Sequence, residues 1–235
     1  MAIKFIPARE LKARYYVLGH FYEIVLNSNM RIRCRSALEI LTKENAIGIN
    51  DAERGLPDAI FIMMNPGSSR PLDGSPPEIK RHCTIADDKL FVPTRPDTTQ
   101  YQVMRVMYEM GWGRVRVLNL SDIREPKSKV FVTTLQSLGY DQSVKNHSVF
   151  APSRRNELDA ELLRKTDAPL VCAWGVSSQL DSLIDVAAPA LSAAGVCRGI
   201  PKAGEPGKYF HPLPARQIDK EAWVTKMCKE LGLDA

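Results

Sequence analysis

The chain has 235 residues, 44% hydrophobic and 25% charged, a balance that supports one hydrophobic core and excludes wholesale disorder. Its formal charge of +5 and pI near 8.9 are compatible with a polyanionic partner, although many proteins of that charge have none. No apolar run approaches the roughly 20 residues of a membrane helix, and MAIKFIPARELKARYY lacks the apolar stretch of a secretory signal; the expected setting is cytoplasmic, with no membrane partner.

Residues 1–50 read as an N-terminal extension packed on the core of a single domain, and MRIRCRSALEIL is compatible with a strand followed by a helix. Residues 59–64 (AIFIMM) form a short apolar run bounded by turn residues, the pattern of a central parallel strand. Residues 65–98 read as largely irregular. From Thr99 to Met110, Val103, Met104, Met107 and Met110 share a helical face, with Gly111 as the stop. Residues 114–120 (RVRVLNL) and 169–174 (PLVCAW) are the second and third buried strands. Leu180, Leu183, Ile184 and Ala187 repeat at helical spacing before Pro189, and a last helix is expected from Asp219, as N-cap, through Trp223, Met227 and Leu231 to Gly232. Strands alternating with helices predict an α/β fold: three αβα layers around a mostly parallel sheet. Ligands bind such folds at the carboxyl ends of the strands, where this chain places Asn65-Pro66-Gly67, Asn119-Leu120-Ser121 and Gly175.

The five cysteines are scattered without a C-x-x-C pair, so neither zinc nor an iron–sulfur cluster is expected, and Cys172 reads as a core residue. His82 beside Cys83 lacks a second ligand pair. His20 and His147 read as fillers of core or surface, Asp87 and Asp88 as a solvated loop, and Arg154 and Arg155 as phosphate contacts or solvated side chains. The Gly- and Pro-rich stretch 199–214 is a loop.

Five elements, in order over residues 58–216, resemble the uracil-DNA glycosylase superfamily. FIMMNPGSS is similar to the N-P-G first motif of the single-strand-selective and mismatch-specific branches. His211-Pro212-Leu213-Pro214 resembles the H-P-S-P second motif. Val117-Leu118-Asn119 resembles the strand end whose asparagine reads the base, Val171-Cys172-Ala173-Trp174-Gly175 the apolar strand ending in Trp-Gly, and Phe91 stands where the family places a stacking aromatic. The same loops also resemble a prokaryotic family of unassigned activity with an N-P-S strand end, a downstream Asp-x-Thr that Asp97-Thr98 fits, and a final His-Pro-Leu.

The glycosylase resemblance implies a monofunctional DNA glycosylase serving repair or defence against modified foreign DNA. Its partner is DNA, with no metal, no cofactor and no obligate protein partner. Asn65 would hold the attacking water, and His211 would donate a hydrogen bond to the departing base as charge builds there. Asn119 would read the Watson–Crick edge, Phe91 would stack, and Met64, Pro66, Gly67 and Ser68 would line the pocket. Leu213 would wedge into the vacated stack, while Lys202, Lys208 and Arg216 would contact phosphates. The uracil-restricted branch has Asp in the first motif followed by a Tyr that blocks C5. Here Asn65, Gly67, Ser68 and Ser69 leave that wall absent, which implies a 5-modified pyrimidine. No lysine lies in either motif, so lyase chemistry is not expected. The alternatives are a nucleoside or nucleotide hydrolase or transferase, and a module that binds a modified base without cleaving it.

Overall fold

The N-terminal residues form the middle of the sheet. In the computed structural model, which describes residues 3, 5–25, 31–46, 55–73, 80–81, 90–138 and 146–233, a short helix α1 (Ala8–Arg14) leads into β1 (Tyr15–Val25). β1 pairs antiparallel with β2 (Arg31–Thr42) from Tyr15↔Thr42 to Val25↔Arg31. SALEIL therefore continues a strand and starts no helix. Ladder pairing on both sides of β2, with β1 and with β7 (Arg114–Asn119), overrides the helix propensity of Ala-Leu-Glu.

After a single turn, α2 (Lys43–Ala46), come β3 (Ala59–Met63), the short β4 (Arg70–Pro71) and β5 (Lys80–Arg81), and β6 (Val92–Arg95). Helix α3 (Thr98–Met110) precedes β7, and α4 (Ser128–Leu138) and α5 (Arg155–Glu161) lead to β8 (Leu170–Cys172). Last come α6 (Asp181–Ala194), β9 (Cys197–Arg198) and α7 (Gln217–Glu230). The strand order is β4-β6-β1-β2-β7-β3-β8-β9, with β5 against β1. Four strands, β7-β3-β8-β9, pair parallel, while β4, β6, β1, β2 and β7 are joined antiparallel. The fold is α/β with a mixed sheet, rather than the mostly parallel one expected. The N-terminal hairpin is an integral part of that sheet, not an extension laid over it.

Helices cover both faces. Ala59, Phe61, Met63, Val115 and Val117 pack with residues of α1, α3 and α7, whereas Ile60, Ile62, Leu118 and Leu170 pack with residues of α5 and α6. Burial on both sides explains the unbroken apolar run of β3. A buried ion network seams the two parts: Glu39 of β2 accepts from Arg114 Nε (2.8 Å) and Arg116 Nε (2.7 Å), and Arg116 also meets Glu161 (3.1 Å).

Two helix boundaries differ from expectation. Pro189 lies inside α6 rather than beyond it, and α7 begins two residues before Asp219, which sits in the first turn paired with Arg216. Gly111 does end α3, in the left-handed conformation (φ 66°). His82, Cys83, Asp87 and Asp88 lie outside the described residues. Among those described, no helix is long and apolar enough to cross a membrane.

Candidate functional site

Parallel pairing brings three strand ends to one edge. Met63 stands opposite Asn119 and Ile62 opposite Cys172, and the register continues beyond the strands: Leu120 N–H donates to Met63 O (2.8 Å), Ser121 N–H to Met64 O (3.2 Å) and Ala173 N–H to Ile62 O (2.9 Å). The Asn65 turn, the 120–125 segment and the Trp174-Gly175 loop therefore leave the sheet together. β2 reaches the same edge from the opposite direction, since Arg35 N–H donates to Asp122 O (2.8 Å) and Cys34 bridges Ile123.

Asn65 is fixed by its amide nitrogen, which donates to Ile123 O (3.1 Å) and Glu125 O (2.7 Å). Its Oδ1 accepts nothing from the described residues, so its acceptor capacity is unused by them. Pro66 is buried behind the turn, and Ser68 is exposed. Gly67 has φ +64°, and a methyl group there would fall 2.6 Å from Asp97 Oδ2. The small residue at 67 thus makes room for a carboxylate of the protein, not for a substrate substituent. Asp97 also caps α3 through Thr99 and Gln100 N–H in a capping box. Burial raises its carboxyl above the ordinary range, against the pull of Arg35 and of backbone N–H groups including that of Ser68.

Asn119 does not face open space. It is fully buried, and with its amide oriented to satisfy both ends it donates to Asn65 O (3.2 Å) and accepts from Arg35 Nη2 (3.2 Å). In this conformation it supports the Asn65 turn rather than presenting an edge to a base. Arg35 is not evident from sequence. A β-bulge between His20/Phe21 and the opposing strand skips Ser36, and Arg35 lies fully buried with Nε and Nη1 unpartnered, its pKa pushed down to about 10 by burial. His20 is a core residue on the same hairpin, 2.6 Å from Ser36 Oγ through Nδ1.

The second loop is pinned from several sides. Gly175 N–H donates to Tyr209 O (2.9 Å), Trp174 Nε1 to Gly207 O (3.0 Å) and Trp223 Nε1 to Phe210 O (3.0 Å). Gln102 of α3 reaches Pro212 O (2.8 Å) and Lys220 O (2.9 Å). His211 Nδ1 accepts from Leu213 N–H (3.2 Å), which leaves the proton of a neutral ring on Nε2. Burial pushes the His211 pKa down to about 4, so the ring is a neutral donor across the physiological range. Leu213 contributes that backbone bond, and its side chain is half-buried. Met64 and Phe91 pack, half-exposed, on the apolar cluster that holds Trp174 and Tyr209; Phe91 lies 6.2 Å from the His20 ring.

The basic residues expected to contact phosphate already have acidic partners. Lys202 pairs with Glu205 and Arg216 with Asp219 (2.7 Å). Lys208 is buried between Ser177 O and Asp181, so it braces the loop and does not project from it. Arg154 is neither a phosphate contact nor solvated: it is buried on Asp122 (2.6 Å) and Glu157 (2.8 Å), with Tyr22 OH on the same Asp122 oxygen (2.7 Å). That cluster anchors the 121–125 segment whose carbonyls hold Asn65. Arg155 pairs with Asp159 on the surface (2.9 Å), and Cys172 is buried in β8.

No family model, curated protein or solved structure matches the chain.

Proposed function

We propose that the protein is a monofunctional DNA glycosylase that hydrolyses the N-glycosidic bond of an extruded pyrimidine. The observation that carries the reading is a complementary pair of groups on loops at one edge of the sheet. Asn65 is locked as a bare acceptor, and His211 is locked as a neutral Nε2 donor. N-glycosidic hydrolysis needs such a pair: an acceptor to hold water near C1′, and a donor to stabilise negative charge on the departing base without first giving up a proton. A neutral imidazole suits a leaving group of low basicity, and one preorganised donor contributes about 2.7–4 kcal/mol. Met64 precedes Asn65 directly, and Phe91 packs on the same apolar cluster as Met64, so both are candidates for the surface a base would rest on.

With the space on the Cβ side of Gly67 taken by Asp97, the exposed Ser68 is the one of the two small residues left to border a 5-substituent. The test is incubation with DNAs carrying uracil, 5-hydroxymethyl pyrimidines and bulkier 5-substituents, with detection of released base and abasic sites. Release of free base supports the reading, and release from the 5-substituted DNAs ahead of uracil supports the narrower one. Tight binding to modified DNA without release would assign a recognition module, and cleavage of free nucleosides alone a small-molecule hydrolase.

A further inference from the structure

Four arginines far apart in the chain meet beside the Asn65 turn. Arg70 follows the turn directly, and Arg95 is its register partner across β4 and β6. Arg124 Nε donates to Ser69 O (2.8 Å) from the segment whose neighbouring carbonyls hold Asn65, and its backbone N–H donates to Arg33 O (2.9 Å). Burial, then the charges of Arg33 and Arg70, lower the pKa of Arg124, so these groups feel one another. Arg70 and Arg95 are exposed, and Arg33 is 72% exposed.

Like charges placed opposite one another weaken a strand pair, yet Arg70 and Arg95 stand opposite each other. Among the described residues, Arg70, Arg95 and Arg124 form no ion pair. Arg33 has only Glu23 at 3.9 Å, a carboxylate that also takes Arg31 at 3.2 Å. Glu125, next in sequence to Arg124, turns its carboxylate to Lys127 N–H. The lysines and arginine around the HPLP loop show the opposite arrangement, each matched to a carboxylate. A basic cluster in which, among the described residues, Arg33 alone meets a carboxylate, beside the Asn65 turn, matches a ligand that brings several negative charges at regular spacing.

We infer that Arg33, Arg70, Arg95 and Arg124 form the surface that grips the phosphodiester backbone of a nucleic-acid strand and leads it to the Asn65 turn. The inference deepens the reading of the neighbouring site and rests on it for the nature of the strand. The arginine fork fits phosphate oxygens, and each phosphate so neutralised releases counterions from the strand.

The experiment is the salt dependence of binding to an oligonucleotide of unmodified bases, followed by fluorescence anisotropy with the full chain. Because binding is read and not excision, a protein that releases no base sinks the glycosylase reading while this surface stands or falls separately. The variant Arg33→Gln/Arg70→Gln/Arg95→Gln should flatten the slope of log K against log salt by about 2 to 3, at about 0.7–0.9 for each phosphate that is no longer neutralised. The control variant Lys202→Gln/Arg216→Gln should keep the native slope. Arg70→Gln alone, a change at an exposed position, should flatten it by about 0.7–0.9 and covers the case of a triple variant that does not fold. An unchanged slope in Arg70→Gln and the triple variant, or an equal flattening in the control, overturns the assignment. Displacement of the oligonucleotide by polyglutamate at equal charge concentration overturns it too, in favour of an acidic protein partner.

Discussion

His211 carries a consequence for stability as well as for chemistry. Its folded pKa is about 4, against an ordinary value of 6.5, so the unfolded chain binds more protons between those two values. Stability therefore falls as pH drops from 6.5 to 4, and below 4 the loss is complete. A gap of that width corresponds to about 3 kcal/mol. His147, pushed down to about 4 by burial, adds a second contribution of the same sign. Urea titrations at pH 7 and pH 5 should show this loss in the native protein and a smaller one in His211→Gln, whose side chain does not titrate; an equal loss would mean His211 is protonated in the fold. Asn65 makes a different prediction. Its amide nitrogen faces two carbonyls, so Asn65→Ala should cost about 1–3 kcal/mol by leaving them unpaired. Asn65→Asp puts a carboxylate oxygen against those carbonyls, raising its pKa, so relative to Asn65→Ala this variant should gain stability as pH falls from 7 to 5. A pH-independent difference between the two would show that the amide does not face that way. Asn65 and His211 are legible in the sequence as types in turn motifs. The fixed roles of their atoms are not, because those depend on Ile123, Glu125 and Leu213 backbone groups. Gly67 misleads for a related reason: its neighbour in space, Asp97, is distant in the chain.

Of the three strands legible in the sequence, β7 begins as an alternation of arginine and valine and finishes apolar, while β3 and β8 are buried on both faces and spell themselves as apolar runs. β1 and β2 do not, because they carry His20, Arg35, Ser36 and Glu39 into the interior. Each of those groups except Arg35 finds a clear partner, for His20 and Ser36 each other and for Glu39 the arginines of β7. A polar residue paired across the fold looks, in sequence, like a surface residue. Glu39 shows what this pairing does for the elements. It is the buried charge at the seam where the antiparallel hairpin meets the parallel strands, and it serves two guanidinium groups at once. Removing one partner of a buried pair strands the other charge, so Glu39→Ala should destabilise the fold by about 3–5 kcal/mol. Denaturant unfolding checks this, and a change under about 1 kcal/mol, the level of an exposed pair, would contradict a seam role.

At the scale of the whole molecule, one sheet edge collects what the chain disperses. The Asn65 turn, the Asn119 strand end and the His211 loop are legible because glycine, proline and histidine punctuate them. The arginine surface is not legible, since positions 33, 70, 95 and 124 become neighbours only through the β1–β2 hairpin and the β4–β6 pair. On the proposed reading, chemistry would fall to Asn65 and His211, and strand-gripping to residues that make no part of either motif. The first of these roles is the central one. The measurement that tests it most directly is the single-turnover rate of base release from the best DNA of the panel, for the native protein and for Asn65→Ala and His211→Ala at pH 7. Free base and an abasic strand are expected from the native protein, with each variant at least about tenfold slower, a loss of about 1.4 kcal/mol or more in transition-state stabilisation. No base release from any DNA, or native rates in both variants, would contradict the catalytic role of the pair.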